Sequence, residues 1–327
     1  MKVSIVIPLY NVALYIKDCL ESIGGQSFSN GIECVIVDDC GSDNSVEVVQ
    51  SFIDGYKGNV VFSLIHHNRN RGAAAARNTG IEHASGDYIM FIDGDDWITQ
   101  DCVELLVKCM TTRSDIQLVQ CGIKTTNSSI SWFDFEKNPL PEYSNDRYDV
   151  KTRLLGKGII PNSPCGKLIS LHFVKEHGLF FYEGIVMEDE LWMNLLAKHV
   201  LSVAVVNRNL YIYRIREGSV VTSGKGTDPY RKIILYDLMI QAIDEPYVEE
   251  QVDYITMLLD KLYFEHEDIK LRKHIGVLLD KISTHCSTHK RYVLKTKAIL
   301  SKLDKGNRSV AYYLFYRLSL LYINRKI

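Results

Sequence analysis

In the N-terminal third of the chain, short apolar runs alternate with stretches of helical spacing, and each run ends in a polar cluster. Residues 2–10 (Lys-Val-Ser-Ile-Val-Ile-Pro-Leu-Tyr) are nearly all apolar and β-prone, the pattern of a strand buried on both faces. Pro8 belongs near its end, since proline has no N–H to give the ladder. Residues 32–37, 60–65 and 87–92 repeat the pattern, and Tyr88-Ile89-Met90-Phe91-Ile92 runs directly into Asp93-Gly94-Asp95-Asp96. Between these strands, Leu14, Ile16, Leu20 and Ile23 fit one helical face that Asn11 can cap and Gly24-Gly25 stop. Residues 46–53 read as a helix capped by Ser42 or Asp43. Residues 73–81 read as a helix of small side chains that lets backbone come close to a neighbour. This alternation predicts an α/β fold with a doubly wound, mostly parallel sheet flanked by helices. Ligands of such sheets bind beyond the carboxyl ends of the strands. Pro8 to Asn11, Asp38-Asp39, the 66–77 loop and Asp93 to Asp96 all fall there.

Farther along, the spacing predicts a helix over 97–110, a strand over 116–123 and a polar, aromatic excursion over 125–149. A proline-bearing loop over 156–166 follows, then a helix over 183–199 that opens with Glu188-Asp189-Glu190, and strands over 201–206 and 210–213. A basic, glycine-bearing loop spans 214–226, and from Pro229 the chain is helical without repeats. The expected organisation is a domain over 1–220 and a helical, basic C-terminal region over 221–327.

An apolar share of 46% and a charged share of 24% are those of an ordinary soluble globular protein. The eight cysteines show no Cys-x-x-Cys and no metal-like pairing with histidine, so they read as small buried hydrophobes in a reducing compartment. His66, His67 and His83 likewise have no ligand spacing. No secretory leader and no run long enough to span a bilayer is seen, which sets the expectation of a cytoplasmic protein. The net charge of −2 hides an asymmetry: from Lys270 onward there are 14 Lys and Arg against Asp280 and Asp304. An acidic body with a basic tail does not fit nucleic acid as a partner. It suggests a surface that docks on anionic lipid, placing the protein peripherally at the inner face of the plasma membrane. The tail over 310–327, rich in tyrosine and arginine, reads as an interfacial helix. A helix packed on the body, or on a second copy in a homodimer, stands as its equal.

Three carboxylates within four positions at a strand end repel one another and are partly desolvated. A divalent cation, Mn or Mg, held between carboxylate oxygens and a diphosphate would offset this most directly. The plainer alternative is an acidic turn that caps a helix beginning near Trp97.

Seven segments carry a resemblance. They are Ile5-Val-Ile-Pro-Leu-Tyr-Asn11, Val37-Asp-Asp-Cys-Gly-Ser-Asp-Asn-Ser45, Asn70-Arg-Gly-Ala-Ala-Ala-Ala-Arg-Asn-Thr-Gly-Ile81, Gly86-Asp-Tyr-Ile-Met-Phe-Ile-Asp-Gly-Asp-Asp-Trp97, Gly166-Lys-Leu168, Met187-Glu-Asp-Glu-Leu-Trp192 and Tyr211-Ile-Tyr-Arg-Ile-Arg-Glu-Gly-Ser219. In this order, over about two thirds of the chain, they resemble the inverting family 2 glycosyltransferases with the GT-A fold, of the kind that builds bacterial surface polysaccharide. The pattern departs from the family at Cys40-Gly41-Ser42-Asp43, which changes a turn, and at Gly166, where an aromatic of the acceptor-side wall often stands.

The resemblance implies a nucleotide-sugar donor, UDP-linked by expectation, and a glycan or lipid-linked acceptor. It implies that Pro8, Tyr10 and Asp38 line the base and ribose pocket, with Asn70 and Arg77 near the nucleotide. Asp93 would be a ribose or sugar contact, Asp95 the metal ligand, and Asp96 and Glu188 contacts to donor or acceptor sugar. Asp189 is the expected general base, and the neighbouring Glu188 would raise its pKa toward the useful range. Arg214, Arg216 and Ser219 offer donors for the diphosphate. Two rivals stand beside this reading. A sugar-nucleotide nucleotidyltransferase would need a glycine-rich basic loop after the first strand, which Pro8-Leu-Tyr-Asn11 is not. A non-catalytic nucleotide-sugar-binding membrane module would be expected to lack the Asp93, Asp95 and Asp189 set.

Overall fold

The computed structural model describes residues 1–28, 31–127, 133–154, 159–185, 187–216, 228–243, 248–266, 268–285, 291, 294 and 295. Ser219, the stretch 218–226 and the tail over 306–327 lie outside them. The chain divides into two compact units, Met1–Ser223 and Gly224–Ile327.

The first unit is built on one mixed sheet. In chain order its elements begin β1 (Val3–Leu9), α1 (Ile16–Gly24), β2 (Ile32–Asp38), α2 (Ser45–Gly55), β3 (Val61–His66), α3 (Ala73–His83) and β4 (Tyr88–Phe91). They continue with β5 (Trp97–Ile98), α4 (Cys102–Met110), β6 (Leu118–Thr125), β7 (Tyr143–Ser144), α5 (Arg147–Leu154), β8 (Lys167–Ser170), α6 (Leu171–Glu176), α7 (Glu188–His199) and β9 (Val203–Tyr213). Among the described residues the strand order is β3-β2-β1-β4-β8-β6-β9-β5, with β7 on β9. The β3-β2-β1-β4 half is parallel, as the apolar runs predict, whereas β8 pairs antiparallel with both β4 and β6. The sheet is therefore mixed rather than wholly doubly wound.

Three local expectations are corrected. Trp97 and Ile98 do not start a helix; they form an antiparallel bridge to Ile212 and Tyr211, and α4 begins only at Cys102. Asp93, Asp95 and Asp96 thus cap no helix. Asn11 does not cap α1 either: it lies at φ 51, and its Oδ1 accepts from the N–H groups of Ser42 (2.7 Å) and Asp43 (3.3 Å). The loops after β1 and β2 are thereby interlocked. The 183–199 helix starts at Glu188.

The small side chains of α3 serve close packing. A Cβ on Gly80 would lie 2.1 Å from Val6 Cγ1, so α3 rests directly on β1. Gly80→Ala is expected to destabilise the fold by about 1–3 kcal/mol, and Val6→Ala in the same chain should recover part of that. Urea unfolding of both variants checks it; a single variant as stable as the parent would refute the close approach.

The second unit, taken by itself, contains α8 (Pro229–Gln241), α9 (Val248–Glu265) and α10 (Ile269–Ser283). Asp228 and Asp268 cap α8 and α10 through their side chains, and Lys281 of α10 pairs with Asp237 of α8 at 2.6 Å. No helix among the described residues is long and apolar enough to cross a membrane.

Candidate active site

Because β1, β2, β3 and β4 run parallel, their carboxyl ends share one rim. Asp38 ends β2 in register with Leu9 of β1 and His66 of β3, and Asp93 follows β4 by two residues. Cross-links then assemble the site. Arg77 of α3, with a side chain only 7% exposed, donates to Asp93 Oδ1 through one terminal nitrogen and to Glu188 Oε1 through the other, both at 2.8 Å. It thus ties the end of β4 to the first turn of α7, which also carries Asp189. Burial works against the Arg77 cation, but Asp93 and Glu188 outweigh it and raise its pKa.

An aromatic group sets the height of α7. Trp192 stacks on Phe181 at 4.8 Å, both meet Phe91 of β4 edge-on, and Trp192 Nε1 donates to Leu179 O at 3.0 Å. Asn78 of α3 fastens the same segment through a reciprocal pair of hydrogen bonds with the backbone of Phe181. Asp189 keeps part of its surface open but is closely surrounded. That loss of water, followed by the charge of Glu188, pushes its carboxyl up to about 6.

The acidic turn after β4 is held from the other side by β9. Tyr211 donates to Asp96 Oδ2 at 2.6 Å and accepts from the Asp93 N–H at 3.2 Å. The Arg214 N–H donates to Asp96 Oδ1 at 2.7 Å. Asp96 is buried with both oxygens hydrogen-bonded, so in this structure it braces the turn. Burial first, then Asp93 and Asp95, hold its pKa far above the carboxylate range, at about 8. A carboxyl raised in the folded state contributes stability below its unfolded pKa and loses it as pH climbs through the folded value. Asp96→Asn should therefore gain in melting temperature over the parent more at pH 9 than at pH 5, in chelator. An equal difference at both pH values would contradict this.

Asp95 is raised as well, by burial and then by Asp93, and Arg216 Nε donates to its Oδ2 at 2.6 Å. Arg214 is more committed. It stacks over Trp97 (4.6 Å) and Tyr15 (5.0 Å), donates from Nε to Asp95 O, and pairs with Asp18. Of the expected diphosphate donors, Arg216 thus lies on the carboxylate rim and Arg214 is built into its wall.

The residues expected on the nucleotide side lie along the β1–β3 ends. Tyr10 is exposed, Pro8 half-buried, and Asn70 sits exposed on the 66–72 loop. Asp38 is buried between the Gly41 N–H and His66 Nδ1, the latter at 3.0 Å. Asp39, to which the sequence assigns no role, organises that loop: it takes His67 Nδ1 at 2.7 Å and the N–H groups of Arg71 and Gly72 at 2.9 and 2.7 Å. The two histidines are therefore partners of the paired aspartates, a role that ligand spacing could not reveal. Cys165, also missed, donates its thiol to Asp93 Oδ2 at 3.6 Å. The non-glycine residues with positive φ among those described are Asn11, Cys40 and Met187, each flanking this rim, where strained backbone tends to collect.

The hard carboxylate oxygens of Asp95 suit Mn or Mg. Among the described residues no group of three or more His, Cys, Asp or Glu forms a complete cage. A cation there would take its other ligands from a diphosphate and water, as such ions commonly do.

The family model for glycosyl transferase family 2 matches residues 4–178. This chain belongs to glycosyltransferase family 2. The similarity extends to Glycosyltransferase GlyA of Streptococcus pneumoniae, 31% identical over 67% of this chain and 31% of GlyA. It extends also to the putative glycosyltransferase EpsH of Bacillus subtilis, 33% identical over 67% of this chain and 62% of EpsH. The chain thus spans about a third and under two thirds of the lengths of these family 2 relatives. Among solved structures, Staphylococcus aureus TarS 1–349 in complex with UDP-GlcNAc superposes with a TM-score of 0.72 over 98% of this chain and 92% of that one, at 18% identity. At that identity the likeness establishes the fold, which is GT-A.

Proposed function

We propose that the protein is an inverting glycosyltransferase that moves a sugar from a UDP-sugar to a hydroxyl of a glycan or lipid-linked acceptor in surface polysaccharide synthesis. One observation carries this reading: Arg77 joins Asp93 of the acidic turn to the helix start that bears Asp189. Relatives named as glycosyltransferases, and a GT-A neighbour solved with UDP-GlcNAc, support the donor class.

In this reading Tyr10 stacks on the base, Pro8 and Asp38 line its pocket, and Asn70 and Asp93 contact ribose or donor sugar, with Arg77 orienting Asp93. Arg216 moves from Asp95 to the diphosphate, assisted by Arg214 and by Ser219. Asp95 holds the divalent cation, Mn or Mg, which when bound supplies Lewis-acid neutralisation of the departing diphosphate. Asp189 takes the proton from the acceptor hydroxyl as its oxygen attacks the anomeric carbon opposite the leaving group, which inverts that centre. Glu188 stays on Arg77 and borders the acceptor. The basic C-terminal region over 221–327 brings the enzyme to the inner face of the membrane, and to a homodimer if it pairs with its own copy.

The test is an assay of donor hydrolysis and transfer over UDP-, GDP- and dTDP-sugars, with Mn2+ and with EDTA. Turnover of a UDP-sugar that needs the metal is expected. Turnover of none, or equal rates in chelator, would overturn the reading.

A further inference from the structure

Lys167 is the first residue of β8 and is fully buried. Its Nζ donates to two backbone carbonyls of the preceding segment, Pro161 O at 2.7 Å and Ser163 O at 2.6 Å. Burial lowers its pKa to about 7, more than Cys165, Cys121 and Asp189 together raise it. Across the strand pair stands Gln120, also buried, whose Oε1 accepts no hydrogen bond. A buried amine without a carboxylate at hydrogen-bond distance is costly, and an apolar side chain of the same length usually serves packing as well or better. What an apolar side chain could not do is hydrogen-bond two carbonyls and so draw them onto one point.

Drawing them in has a consequence at the rim. The segment that carries Pro161 and Ser163 ends in Cys165, whose N–H is held by Ser163 Oγ at 3.1 Å and whose backbone bridges Phe91 of β4. Gly166 turns the chain at φ 69, with Cys121 N–H on its carbonyl at 2.9 Å. Cys165 Sγ is thereby placed 3.6 Å from Asp93 Oδ2, while Arg77 holds Oδ1.

We propose that Lys167 is a positioning residue of the site: by gathering the Pro161 and Ser163 carbonyls it seats the Cys165 thiol on Asp93, so that both oxygens of Asp93 are oriented. Its amine hydrogen-bonds the Pro161 and Ser163 carbonyls. It acts through the segment it holds.

Two measurements test this, and only the second rests on the glycosyltransferase reading. In hydrogen exchange of the full chain, Lys167→Met is expected to speed exchange about tenfold both in peptides over 161–167 and in peptides over 90–96. Acceleration confined to 161–167, or in neither, overturns the proposal. In kinetics, using whichever donor the wild type turns over, Lys167→Met and Cys165→Ala should lower kcat by up to about 10²-fold, the scale of a small misplacement. Titrated UDP with Mn2+ should bind them within about threefold of wild type, and Cys165→Ser, which keeps a donor, should restore most of the rate. Unchanged kcat in Cys165→Ala, or equal losses in UDP affinity and kcat, overturn it too. If Lys167→Met does not fold, the Cys165→Ala and Cys165→Ser pair decides through exchange at 90–96. A wild type that turns over no donor would defeat the functional reading, while the exchange measurement still decides this proposal.

Discussion

Asp189→Asn is expected to lower the transfer rate by about 10²–10⁴-fold, the usual contribution of a positioned base. The substitution keeps the oxygen that accepts the Glu190 N–H at 3.0 Å, so the first turn of α7 stays as it is. What it removes is a proton acceptor whose pKa, raised by burial and then by Glu188, stands at about 6. The wild-type rate should rise with pH through about 6 and then level off, because the base works only when ionised. The Asn variant should be slow and lack that rise. Stability should move the other way. A carboxyl raised in the folded state loses its contribution as pH climbs through about 6, so Asp189→Asn should melt no lower than the parent at pH 8. A variant that keeps its rate within tenfold would remove Asp189 from the role of base, and one that melts far lower would show a structural role instead.

Arg77→Met carries the largest expected cost in stability, about 3–5 kcal/mol, the range for stripping one partner from a buried ion pair. Both Asp93 and Glu188 lose their counter-charge at once, and the contact with Phe181, now 5.3 Å from the guanidinium carbon to the ring centre, is lost as well. Lysine should not rescue it, since one ammonium cannot reproduce a fork that donates to two carboxylates from separate nitrogens. Adding Glu188→Gln removes one of the stranded charges, so the double variant should lose less than the sum of the two single changes. Urea midpoints of the four proteins measure this; strict additivity would mean that Arg77 and Glu188 do not act as a pair.

How far the chain alone reveals such a site depends on the range of the force involved. The β1–β4 strands, the α3 helix and the placing of Asp38, Asp93 and Asp95 at strand ends were legible, because unbroken apolar runs and helical spacing are local patterns. The parallel order of those strands then sends their polar ends to one edge. The small side chains over 73–81 were legible as a close approach, though not that Gly80 makes it or that its partner is Val6. The Trp97–Ile98 bridge was not, since two residues that read as the start of a helix pair instead with Ile212 and Tyr211 of β9, 115 and 113 residues on.

The same holds for the fate of individual polar groups. Residue types and spacing by themselves determined an α/β sheet with carboxylates at its strand ends, and the resemblance of seven segments implied its family and a short list of site residues. Tertiary structure decided which of these stay free. It closed Asp96 under Tyr211, gave Asp38 and Asp39 to His66 and His67, put Arg216 on Asp95, and set Cys165 against Asp93. The physical reason is that strand and helix patterns are written in neighbours a few positions apart, whereas a hydrogen bond or ion pair is settled by whichever group, however distant in sequence, arrives within about 3 Å.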